Sequence, residues 1–79
     1  MKVDRQTLTA NTQTTFNISS RGTVTIKNFT DGDIYAAIGI NYDKDDAICI
    51  PSNTAQVIEA RDVDIIVVAE SGGIVEIDS

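Results

Sequence analysis

Between Asp64 and Glu70 the chain reads DIIVVAE, a β-branched run of strand length with no polar residue on either face. Ile and Val stiffen the side chain at χ1 and suit a pleated surface better than a helix. A run of this kind predicts a central strand buried on both faces, because at a sheet edge it would template aggregation. A fold that buries such a strand needs partner strands on both sides and cover above and below.

Period-two patterns supply them. TVTIKN sets Val24 and Ile26 on one face against Thr23, Thr25 and Lys27, and TFNIS sets Phe16 and Ile18 against polar neighbours before SSRG interrupts it. TDGD, Thr30 to Asp33, reads as the strongest turn, since Asp-Gly tolerates the positive φ of a tight hairpin. A hairpin from Gly22 to Ile40 follows, with Ile34, Ala36, Ile38 and Ile40 on one face of its second arm and Tyr35, Ala37 and Gly39 on the other. AICI is stopped by Pro51, which cannot donate to a ladder. SGG turns the chain again before IVEIDS. Only Asn53–Asp62 admits a helix, through Asn53 and Gln56 at capping-box spacing; Thr54, Val57 and Ile58 favour strand. The result is an all-β chain, a small antiparallel β-sandwich or flattened barrel of about seven to eight short strands forming a single domain over residues 1–79.

A domain of 79 residues buries only roughly 60–65% of its unfolded surface, so its core is thin. The single cysteine, Cys49, excludes an intrachain disulfide. Flanked by Ile48 and Ile50, it reads as a small buried apolar residue. Strands such as IYAAIGI and DIIVVA, apolar on two faces, then call for a further copy of the chain to cover them, and a homo-oligomer is expected. Twelve acidic residues outnumber six basic ones, which never cluster, so direct nucleic-acid binding is not expected. MKVDRQTLTANTQTTF holds no apolar core of signal-peptide length, and no run reaches membrane-spanning length; no membrane association is expected. Asn17 (NIS) and Asn28 (NFT) match the glycosylation pattern by chance.

The chain contains no histidine, which removes Ser-His and Cys-His nucleophile pairs, imidazole bases and His-ligated zinc. No Gly-rich phosphate loop lies between a strand and a helix. Asp31, Asp33, Asp43, Asp45, Asp46, Asp62, Glu70 and Asp78 fall at turns or strand ends and read as solvated charge. In NYDKDDAICIP, Asn41, Asp43 and Asp45 take the spacing of the first three ligands of a calcium loop. The later positions fail: Asp46 stands where the bend requires Gly, and Ser52 where a bidentate Glu would close the site. Asn41–Asp46 therefore reads as an acidic connection, with a weak cation as the alternative. No catalytic, cofactor-binding or metal residue is assigned, and no cofactor is expected. For a sugar-binding site only Tyr35 and Tyr42 offer stacking platforms.

From Gly22 to Ile77 the succession TIKN, TDGD, DIYAAIGI, NYDKDD, AICIP, SNTA, QVIEA and DIIVVAE resembles small β-sandwich structural modules of tailed bacteriophages, of the capsid-decoration and head-fibre type. It departs from them at Ser52 and Asn53, where such modules commonly carry Gly after the Pro. The resemblance implies a non-catalytic virion protein, made in the host cytoplasm, assembling as a homotrimer and binding other virion proteins. The alternative is a small acidic inhibitor blocking a basic surface of a host enzyme, for which the acids should form one continuous stripe.

Overall fold

Alternation of apolar and polar residues becomes eight strands in the computed structural model, which describes residues 1–79. They are β1 (Val3–Leu8), β2 (Thr14–Ile18), β3 (Gly22–Asn28), β4 (Ile34–Ile38), β5 (Ile48–Ile50), β6 (Ala55–Ala60), β7 (Val63–Ala69) and β8 (Gly73–Asp78). A single 3-10 turn, Lys44–Asp46, is the only helical element. The strands form two four-stranded antiparallel sheets, ordered β1-β8-β3-β6 and β2-β7-β4-β5, that face each other without closing into a barrel. Of the two expected architectures, the sandwich is the one formed. Six of the seven connections pass from one sheet to the other, and only β4 to β5 stays within a sheet. This winding of eight strands is a jelly roll.

The core lies between the sheets. Phe16, Ile26, Ile34, Ile65, Val67, Val75 and Ile77 are fully enclosed, each from the inward set of its strand. Strand β7 is central, between β2 and β4, as DIIVVAE requires. Its outward Ile66 stands opposite Ala37 of β4, and both are buried within one chain. Within Asn53–Asp62 the chain forms strand and not helix, β6 at Ala55–Ala60, at the edge of the first sheet. β1, which no alternation marks, closes the other edge through pairing with β8.

Three expectations are corrected. β3 and β4 do not form a hairpin. They belong to different sheets, and the Phe29–Asp33 connection crosses over the core. Positive φ falls at Gly22, Gly39 and Gly73 and at Asn11, Asn53 and Asp62, not at Asp31 or Gly32. SGG likewise crosses between sheets, from β7 to β8. Alternation identifies the buried face of a strand, not the strand beside it. Second, β4 ends at Ile38, where Gly39 at φ +118 breaks the strand, so Ile38 is exposed and Ile40 is 81% exposed. Third, Cys49 is exposed, because on the edge strand β5 Ile48 and Ile50 point inward and the residue between them points out.

Candidate functional site

The outward face of the sheet β1-β8-β3-β6 carries a charge ladder framed by exposed apolar side chains. Register builds it. Arg5 of β1 and Lys27 of β3 stand opposite Glu76 on either side of β8, and Asp78 follows two residues on, on the same face. Arg5 donates from Nε at 3.0 Å and from Nη2 to the same oxygen, Oε1 of Glu76. Lys27 Nζ then bridges the remaining Glu76 oxygen at 3.3 Å and Asp78 Oδ2 at 2.9 Å. Two cations thus balance two carboxylates. Glu76 is 5% exposed and Asp78 9%, which corrects the reading of Asp78 as solvated loop charge: β8 is an interior strand, and the stems of Arg5 and Lys27 roof its acids. Asp78 Oδ1 finds no donor. It is the one unpaired buried side-chain oxygen of the protein.

The ladder tunes its own groups. The Arg5 hydrogen bond holds the Glu76 carboxyl below the usual glutamate range against the opposing effect of desolvation, with Asp78 and Lys27 adding to the lowering. Asp78, then Glu76, pushes the Lys27 ammonium up. Around these charges stand Val3, 51% exposed, Val57, 62% exposed, and Ile74, all outward on the same sheet, with the exposed Phe29 where β3 ends. Val3 and Thr25 flank Asp78 directly, and Val57 lies opposite Thr25. The ladder is internally neutral, and the face around it presents apolar side chains to solvent, the composition of a protein-contact surface more than of a reaction site.

The other residues singled out in the sequence separate from one another. Asp43 caps the 3-10 turn by accepting from the Asp45 amide at 3.0 Å, so its carboxylate serves the backbone of its own connection. No group of three or more His, Cys, Asp or Glu side chains could hold a metal ion. Tyr35 lies beneath Lys44, whose Nζ sits 4.8 Å from the ring centroid. Burial, ahead of Glu70, pushes the Tyr35 hydroxyl up; burial, ahead of Asp43, does the same at Tyr42.

A second polar cluster is internal. Asn28, fully buried at the end of β3, donates from Nδ2 to Gly32 O and Ile50 O, both at 2.9 Å, and accepts from the Thr30 amide at 2.8 Å. Ser52 Oγ donates to Thr30 O. The cluster ties the connection after β3 to the one after β5, and Thr30 packs on Gly73, whose φ of +153 and missing Cβ admit its methyl group. No family model, curated protein or solved structure matches the chain.

Proposed function

We propose that the protein is a non-catalytic structural module of a phage particle, of the capsid-decoration or head-fibre type, that assembles as a homotrimer and works through protein–protein contacts. The observation that carries the contact role is the outward face of the β1-β8-β3-β6 sheet, where Val3, Val57 and Ile74 are held in water around a charge ladder already neutralised from within. Covering that face removes apolar surface from water at about 25 cal/mol per Å². Each ladder charge keeps its partner on burial, which offsets part of the cost of desolvating Arg5 and Lys27. On the opposite sheet the outward Ile66 and Ala37 are covered within one chain, and its exposed apolar side chains, Ile38 and Ile40, lie at and just beyond the end of β4. For the particle itself, the support is the resemblance of the strand-and-turn succession to that of tailed-phage modules. Jelly-roll winding serves capsid proteins and lectins alike and does not choose between them.

Quantitative mass spectrometry of purified particles tests the role. The protein is expected at a fixed stoichiometry with the shell or fibre proteins. Its absence from particles, together with recovery bound to a host enzyme, would replace this reading with the inhibitor one.

A further inference from the structure

The end of the sandwich that holds the β2–β3 and β6–β7 connections carries an unassigned cationic feature. Arg21 and Arg61 line one open groove together with Ser19, Ser20 and Asp62. Only six cationic side chains exist in the chain, and every ion pair formed involves Arg5 or Lys27. Arg21 and Arg61 therefore have no carboxylate within 4.0 Å, although Asp62 and Glu59 line the same region. The backbone prepares this arrangement. Gly22 stands opposite Ala60 with φ +143, and the Nε and Nη2 atoms of Arg61 lie 3.8 Å from where a side chain at Gly22 would begin. Asp62 adopts the left-handed conformation, φ 42, that turns the chain directly after Arg61.

We infer that this groove binds the carboxylates of an acidic segment on a partner polypeptide, with Arg21 and Arg61 as the receiving forks. A guanidinium is a planar donor matched to a carboxylate, and two on one groove wall can take side chains of one extended segment. The groove is shallow and open, which suits a chain laid across it better than an enclosed small molecule. Asp62, which lines the groove, and Glu59, which lines the neighbouring depression with Arg61, disfavour a phosphate backbone, while a flexible peptide can direct its carboxylates onto the two guanidiniums. The inference does not rest on the sheet-face contact: neither arginine belongs to that face's ladder, and their replacement is expected to leave the molar mass unchanged.

The test is an amide-shift titration of the full ¹⁵N-labelled chain at low salt with an end-blocked tetraglutamate peptide. Shifts are expected at Ser19–Thr23 and Arg61–Asp62, weakening as salt is raised. The R21Q/R61Q pair should raise Kd by at least about tenfold, and K44Q, which alters a cation elsewhere, should leave Kd unchanged. An absence of shifts at millimolar peptide, or equal binding by R21Q/R61Q, overturns the inference. Binding of inorganic phosphate or of a single-stranded oligonucleotide as tight as that of the peptide overturns the choice of occupant.

Discussion

Glu76 is the residue on which the outward face turns. Its two oxygens are divided between Arg5 and Lys27, and the ionised form is favoured in the folded protein more than in the unfolded chain. A carboxyl with a lowered folded pKa contributes stability that is complete above its unfolded value, about 4.3, and is lost as pH falls through the folded value. Lys27 has the opposite sign. Its raised pKa contributes stability that is complete below about 10.4 and is lost as pH rises through the folded value. The ladder therefore operates between those limits. Glu76→Gln is expected to lower the melting temperature at pH 7 while narrowing its difference from the natural protein at pH 3. Thermal melts across pH 3 to 7 check this; a gap that does not change with pH would show that the Glu76 charge is not what the ladder uses. Nothing in IVEIDS reveals this role, because the acids of a period-two strand look solvated until the neighbours that roof them are known. The signal available was weak: Lys27, Glu76 and Asp78 each sit at the outward phase of an alternating segment, while Arg5 lies in one that no alternation marks.

At the scale of elements, the strands were legible and their neighbours were not. Val24 and Ile26, Phe16 and Ile18, and the whole of Ile65–Ala69 announce strand and face directly. Pairing depends on connections, and there the Asp31-Gly32 dipeptide misleads. Its loop is shaped by Asn28, which closes it by accepting from the Thr30 amide and donating to the carbonyl of Gly32, so no primed turn is needed. The same side chain reaches Ile50 O and thereby joins the two sheets at that end. Asn28→Ala removes the buried hydrogen-bond partner of the Ile50 carbonyl and of the Thr30 amide, and an unpaired buried group costs about 1–3 kcal/mol. A loss of about 2–4 kcal/mol in urea unfolding is expected, a large share of the stability of a domain this small. A loss under about 0.5 kcal/mol would mean that the loops hold their crossing without the Asn28 cluster. The β1 strand was hidden for a related reason: its inward Asp4 and Gln6 lie at a partly open sheet edge, so between Val3 and Leu8 both faces carry polar residues.

For the whole molecule, the jelly-roll winding changes the case for self-association without removing it. Two-faced strands first suggested that a second copy must cover them, yet Ile66 and Ala37 are covered within one chain. Apart from Ile38 and Ile40 at the end of β4, uncovered apolar side chains stand on the opposite sheet, at Val3, Val57 and Ile74, where no two-faced strand pointed. Light scattering over a concentration series, on the natural chain and on V57K/I74K, tests this most directly. Both substitutions lie at exposed outward positions, so the variant should keep its β-sheet circular dichroism. The account predicts a molar mass of three 8.5 kDa chains for the natural protein and of one for the variant. A natural protein that remains at the mass of one chain to high micromolar concentration, or a variant that assembles as before, would contradict it.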